Sequence, residues 1–370
     1  MLDNWVINIV GGTVIMFLAW NEIKKNKLRF ILIIGILMLV SYLVFFLSGL
    51  ANGLAGFNRD AVDKWGATGI VLKEESDKNL SQSTMTVDDL SKVEAKEKAV
   101  IGSINAIVQK GETKSNAAIF GIEKNEFLMP NVIEGEAFAN SNEVIASDAL
   151  KEDGFKIGDE ISVSSSEEKL TIVGFTDKAK YNAAPVLYTD LETVHKIKYG
   201  SGAENNRDQI NGIVFKGADI SKVTDETSLD SIEIETFIEN LPGYTEQNLT
   251  LNFMIYFLFI ISAVIVAIFL YVLTVQKISM FGVMKAQGIS NGYLAGSVIG
   301  QTFILSFIGV TVGLVLTLVS GVFLPAAVPV SFDILTMIFY ALVFVIVAIF
   351  GALISVLTII KVDPLKAIGG

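Results

Sequence analysis

Four long apolar runs divide the chain unevenly: one near the start, then about 195 mostly polar residues, then three in succession. Phe30–Leu50 reads FILIIGILMLVSYLVFFLSGL, and Leu251–Val275, Tyr293–Phe323 and Ile334–Ile360 are equally apolar. Each reaches the ~20 residues a helix needs to cross ~30 Å of hydrocarbon. The polar insert has the length of a folded domain or of two small ones. The pattern predicts a membrane α-helical protein with four transmembrane helices and a large extracytoplasmic α+β two-lobed domain between helices 1 and 2. The expected segments are an N-terminal piece (1–29), helix 1 (30–54), the outer domain (55–250), helix 2 (251–275), a cytoplasmic segment (276–292), helix 3 (293–323), an outer loop (324–332), helix 4 (333–360) and a tail (361–370).

Within the insert the period shortens to that of strands. GFKIGDEISVSSSEEKLTIVGFTD (154–177) sets Ile161, Val163, Leu170, Ile172 and Val173 between turn-forming Gly158-Asp159 and Ser164–Glu168, which predicts hairpins. EVIASDALK (143–151) passes from strand to short helix. DDLSKVEAKEKAV reads as a helix ahead of a strand INAIVQ. Further strands are expected at Ile213–Phe215 and Ile232–Ile234, and a helix over Asp219–Leu229. One lobe is expected from 55–130 with 205–250, and an inserted lobe from 131–204.

Charge orients this layout. The insert holds 20 basic and 35 acidic residues, a net of −15. The other eight basic residues, Lys24, Lys25, Lys27, Arg29, Lys277, Lys285, Lys361 and Lys366, all fall before helix 1, between helices 2 and 3, or after helix 4. Lysine and arginine are retained on the cytoplasmic side during insertion. Both termini and the loop at 276–290 are therefore expected in the cytoplasm of a plasma-membrane protein, with the acidic insert outside. The outer loop LPAAVPVSF (324–332) carries no basic residue, in agreement.

Composition excludes several classes of chemistry. Without cysteine there is neither disulfide nor thiolate. A net charge of −11 offers no basic face to nucleic acid. His195 is the sole histidine, no Walker A pattern occurs, and no nucleophile elbow supports a hydrolase. The chain is expected not to be an enzyme and to bind no metal and no permanent cofactor.

Residues 2–15 (LDNWVINIVGGTVI) make a poor signal peptide, since Asn4 and Asn8 interrupt the apolar run and no cleavage site follows. Met16 is an alternative start, because codons for Gly11-Gly12 can supply a ribosome-binding stretch. From there FLAWNEIKKNKLRF sets Phe17, Leu18, Trp20, Ile23 and Leu28 against lysines, as an amphipathic elbow helix on the lipid bilayer would.

After helix 2 the chain reads TVQKISMFGVMKAQGISNGYL (274–294), and its end reads KVDPLKA (361–367). Together with the spans in the order one, insert, three, and with VIEGEAF (132–138) and GFKIGDEISV, these motifs resemble the FtsX/MacB-type permeases of ABC transporters. The resemblance runs from Met16 to the end. It implies a homodimer of permeases moved by a separate ABC ATPase subunit, which binds the ATP. It also implies that 276–292 is the coupling segment. There Met280, Phe281, Val283 and Met284 form an apolar knob about Gly282 for a groove of the ATPase, with Lys277 and Lys285 flanking it and Lys285 pairing with an acid at the rim.

Small residues four apart let helices approach closely. Gly288, Gly292, Gly296 and Gly300 recur in this register, with Gly309 and Gly313 beyond, and Gly49 and Gly53 stand at the outer end of helix 1. They are expected as packing faces, within one chain or across a dimer.

Within the family, LAWNEIKKNKLRF, VFFLSGLANGL (44–54) and ENLPGYTEQNLT (239–250) are similar to the haem-efflux permeases of Gram-positive bacteria. This resemblance implies haem as substrate. Haem iron takes Tyr, His, Met or Cys ligands. It directs attention to Tyr181 and Tyr244 in the outer domain, with Lys178 and Lys180 as partners for the propionates. The competing reading of both tyrosines is ordinary turn or interface packing. Two other functions share the architecture: extrusion of a hydrophobic peptide, antibiotic or lipid, and ATPase-coupled regulation of an extracytoplasmic cell-wall hydrolase.

Overall fold

The computed structural model describes residues 27–164, 166–325, 328–361 and 363. The proposed start at Met16, most of the elbow helix and most of the terminal KVDPLKA motif lie outside them. Packing divides the chain into two units. One contains the described residues through Gly53 and those from Leu249 onward, and the other is 54–248.

The long helices are α1 (Lys27–Asp63), α5 (Tyr244–Val275), α7 (Asn291–Phe323) and α8 (Ile334–Ile360), each long and apolar enough to cross a membrane. Short helices α2 (Ala149–Glu152), α3 (Leu191–Tyr199), α4 (Ile234–Glu239) and α6 (Ile278–Ala286) fall between them in chain order. Ser290 and Asp333 begin α7 and α8 as N-caps, accepting the amides of Tyr293 at 3.2 Å and Thr336 at 2.9 Å.

In the first unit a shared core runs through Phe45, Ile255, Leu305 and Phe344, while Phe253, Ile260, Phe339 and Phe350 face outward. Close approach is made at a few glycines. A Cβ on Gly309 would stand 2.8 Å from Leu37 Cβ, and one on Gly351 would stand 2.6 Å from the carbonyl oxygen of Ala263. Gly49 and Gly53 are covered by residues 329–332, where Ser331 donates its amide to the Gly49 carbonyl at 2.9 Å.

The second unit carries strands β1 (Gly69–Lys73), β2 (Met85–Thr86), β3 (Glu97–Lys110), β4 (Thr113–Gly121), β5 (Glu134–Gly135), β6 (Glu143–Ser147), β7 (Glu160–Val163), β8 (Lys169–Thr176), β9 (Lys180–Tyr181), β10 (Ala184–Thr189), β11 (Gln209–Ile210), β12 (Gly212–Lys216) and β13 (Leu229–Glu233). One mixed sheet runs β13-β1-β12-β3-β4-β10-β6-β8-β5, and β2 pairs with β11 apart from it. The expected lobes, 55–130 with 205–250 and 131–204, meet in this one sheet, where β3 pairs with β7 at Val108 and Gln109 and β4 pairs with β10. β3 pairs with β12 over 97–101 and with β4 over 102–110.

Two expected helices are absent. DDLSKVEAKEKAV forms a 3-10 turn over Val87–Lys92, and strand β3 begins at Glu97. The buried run Ala99–Ser103 is covered on both faces, which overrides the helical tendency of the Glu, Ala and Lys just before it. Of Asp219–Leu229 only Ile220–Lys222 is helical. Asp219 accepts the Ser221 amide in a local turn, and Ser, Asp and Thr compete in this way with helix.

Where β3 extends past the end of β4, the Val100 amide donates to Glu126 Oε2 at 3.1 Å instead of to a strand. Burial pushes the Glu126 carboxyl up to about 7, aided by Glu123, against the Val100 hydrogen bond. The unfolded chain loses this proton near the ordinary carboxylate value, whereas the folded chain keeps it until about 7. Stability therefore falls as pH rises from about 4.5 to about 7, by on the order of 1–2 kcal/mol once partial solvent access is allowed for. Glu126→Gln is expected to remove that part of the slope when melting temperatures of the two proteins are compared at pH 5 and pH 8. An identical slope in both proteins would refute it.

Candidate functional site

The first candidate is α6. Its nine residues leave Phe281 and Met284 on one side and Met280 and Val283 on the other, as spacing of three dictates. Phe281 is 6% exposed and packs with Leu294, Val298, Val356 and Ile359, and Met284 lies against the same cluster. Met280 and Val283 are each 42% exposed. The expected four-residue knob is thus corrected to two. Phe281 and Met284 anchor α6 to its own bundle, and Gly282 is buried beside them.

Lys285 is likewise turned inward. Its Nζ donates to the carbonyls of Ile359 at 2.7 Å and Ile360 at 3.1 Å, the orphan acceptors at the end of α8. The sequence expectation pairs Lys285 with an acid at the rim of the ATPase groove; within the chain its ammonium holds the end of α8. Lys277 supplies the N-cap position of α6, its carbonyl accepting the Phe281 amide at 2.9 Å.

Gly288 does not belong to a helix face. It has φ +88° just past α6, a left-handed turn suited to glycine, and α7 starts only at Asn291. A Cβ at Gly292 meets nothing within 4 Å. Gly296 and Gly300 lie half-buried on α7. The glycines of α7 that α1 covers most closely are Gly309 and Gly313, because a four-residue period names a stripe but not its neighbour.

The second candidate lies in the outer domain. Tyr181 and Tyr244 belong to one core cluster with Trp65, Phe120, Tyr188 and Phe237. Tyr181 is 4% exposed and meets Phe120 edge-on with centroids 5.2 Å apart. Burial pushes its hydroxyl well above the ordinary phenol value. The turn after it, Asn182-Ala183, has positive φ at both residues and joins β9 to β10. Its amides donate to the carbonyls of Asn58 at 3.2 Å and Phe57 at 2.9 Å, near the end of α1.

Tyr244 is 8% exposed, and its hydroxyl accepts from Arg59 Nη1 at 3.2 Å. Arg59 also holds Asp63 at 2.8 Å and Glu235 at 2.7 Å. The structure thus brings the two tyrosines into one cluster and covers both rings, as the packing reading of them has it. Lys180 Nζ stands 3.3 Å from the centroid of the Phe57 ring, and burial lowers its pKa. Lys178 is exposed, with its amide donating to Asp148 Oδ1 at 3.2 Å. His195 is buried on α3, with Nε2 donating to the Gln209 carbonyl at 2.6 Å, a structural role.

Two cavities border this cluster. One, of about 340 Å³, is lined by Tyr181, Asn182, Ala184, Ser164 and residues of β3 and β4. The other, of about 290 Å³, is lined by Lys64, Trp65, the 128–131 segment, Asp177 and Tyr188. Arg59 and Trp65 carry no motif, and only the fold brings them to the tyrosines.

Comparison with known proteins agrees with this architecture. Residues 30–228 match the MacB-like periplasmic core domain, and residues 252–364 match the FtsX-like permease C-terminal domain. The putative hemin transport system permease protein HrtB of Staphylococcus epidermidis is 30% identical over 359 residues, covering 96% of this chain and 99% of that protein. The protein of the same description from Staphylococcus haemolyticus is 27% identical, with the same coverage. An uncharacterized ABC transporter permease of Mycobacterium tuberculosis is 24% identical over 364 residues, again covering 96% and 99%. The extracellular domain of the noncanonic ABC-type transporter YknZ, from Gram-positive bacteria, aligns with a TM-score of 0.33 and 12% identity over 45% of this chain and 99% of that one.

Proposed function

The chain belongs to the FtsX/MacB-type ABC transporter permeases, and on that premise we propose that it is the membrane subunit of an efflux system that expels haem, driven by a separate ATPase. The observation that carries the haem reading is the full-length similarity to relatives described as hemin transport permeases. The gathering of Tyr181 and Tyr244 into one cluster supports it, since phenol oxygen is a haem-iron ligand.

In this reading the permease is a multi-pass membrane protein with cytoplasmic termini, working as two copies. The ATPase docks on Met280 and Val283. Phe281 and the Lys285 contacts to α8 pass its movement into the bundle. Haem meets the outer domain with Tyr181 or Tyr244 turned out of the cluster, and Lys178 and Lys180 pair with its propionates.

Titration of the detergent-solubilised protein with hemin tests this. A saturable, shifted Soret band is expected, weakened about tenfold or more by Tyr181→Phe or Tyr244→Phe. Absorbance that tracks empty micelles would discard haem and leave the permease assignment in place.

A further inference from the structure

Helices α1 and α7 run side by side in step. A Cβ on Gly309 would stand 2.8 Å from Leu37 Cβ, and one on Gly313 would meet Ser41 Oγ first. One turn further along both helices, Phe45 and Thr317 are fully buried. The next turn of the same register reaches a glycine on each helix, Gly49 on α1 and Gly321 on α7. Helices with no side chain at one shared level would leave a void there, and packed interiors do not keep such voids.

That level is filled from a third element. Phe332 belongs to the short connection from α7 to α8. A Cβ on Gly49 would collide with Cδ1 and Cε1 of its ring, and a Cβ on Gly321 would collide with Cε2 on the opposite edge. The ring is thus wedged edge to edge between the two glycines. Its own segment is held to α1 as well. The Ser331 amide donates to the Gly49 carbonyl at 2.9 Å, and a Cβ on Gly53 would strike the Pro329 carbonyl oxygen. Asp333, the next residue, caps α8. A larger side chain on α1 or α7 could have filled the same space. Carrying the ring on the connection instead ties the start of α8 to the other two helices.

We propose that Phe332 is a positioning residue, a clasp that makes α1, α7 and α8 one body at this end of the bundle. On the reading of an ATPase acting at α6, which packs on α7 through Leu294 and Val298, the clasp carries that movement to α1 without slip.

The chain has no cysteine, so introduced thiols can be labelled alone. Spin labels on Leu43→Cys of α1 and Val319→Cys of α7, both half exposed, measure the distance between these helices in the full-length protein in detergent, with neither substrate nor ATPase. A single narrow distribution is expected. Adding Phe332→Ala should broaden it. Gly49→Ala should broaden it too, because its Cβ takes the space of the ring, and should add nothing on top of Phe332→Ala. In a second arm Gly49→Cys and Phe332→Cys are combined without labels. With the ring gone, the two thiols share the space it held and can close a disulfide. Hemin efflux from cells is expected to persist with the pair oxidised and to be lost on reduction, a rescue that a change in folding alone would not give. A distribution in Phe332→Ala as narrow as in the labelled parent overturns the clasp. So does efflux that stops in the oxidised pair and resumes on reduction, the mark of a joint that opens in each cycle. If the unsubstituted protein exports no hemin, the haem reading fails, and the label distances alone decide the clasp.

Discussion

Replacing Met280 and Val283 together with glutamate is expected to stop ATPase-driven work while leaving the permease folded. Both side chains are on the more open face of α6 and outside the cluster of Leu294, Val298, Val356 and Ile359, so that core keeps every member. If they fill an apolar groove of the ATPase, two carboxylates buried there without partners cost about 3 kcal/mol or more, a hundredfold or greater loss of affinity. Co-purification of the ATPase and hemin resistance of cells should both collapse, with the melting temperature of the permease alone unchanged. The opposite signature is expected for Phe281→Ala. Removing a buried aromatic costs about 3–5 kcal/mol and lowers the melting temperature before docking is asked about. If the double glutamate variant retains its ATPase, α6 is not the docking element.

Gly313→Leu is expected to prevent stable assembly of the bundle. A Cβ there would stand 2.9 Å from the Met38 carbonyl oxygen and 3.1 Å from the Tyr42 nitrogen, and would strike Ser41 Oγ before either. Two of these obstacles are backbone and cannot rotate away, so α7 must move off α1. In lipid, where apolar surface gains nothing by leaving solvent, helix association depends on such close packing. The expected cost is about 3 kcal/mol or more, seen as aggregation or a large drop in melting temperature in detergent. Gly292→Leu is the matched control, since a Cβ there meets nothing within 4 Å. It should melt with the unsubstituted protein. If it also dissociates a dimer, the Gly292, Gly296 and Gly300 stripe packs between copies. A Gly313→Leu protein that melts normally would refute the close approach.

Much of the frame could be read from residues in order. Ile334–Ile360 forms a helix over the stretch its apolar run marks, and EVIASDALK passes from β6 into α2. The hairpin of β7 and β8 follows the alternation of Ile161, Val163, Leu170 and Ile172. The misreadings are instructive. Glu, Ala and Lys before Val100 favour helix locally, but the double burial of Ala99–Ser103 in β3 outweighs about half a kcal/mol per residue of propensity. In the candidate sites, residue type pointed to Phe281, Lys285, Tyr181 and Tyr244. Type could not say that a ring is covered or that an ammonium reaches the carbonyls of Ile359 and Ile360.

Sequence by itself determined that the chain has four apolar spans, that an acidic insert follows the first, and that it resembles the permeases to which it belongs. Length, charge and motif order are properties of the chain before it folds. Only the tertiary structure decided that Met280 and Val283 rather than Phe281 face outward, that Gly313 and not Gly288 makes a close contact, and that Trp65 is stacked between Phe120 and Phe237 in the core of the outer domain. Periodicity specifies which side chains share a face. What covers that face depends on elements far away in the chain, and no local pattern encodes them.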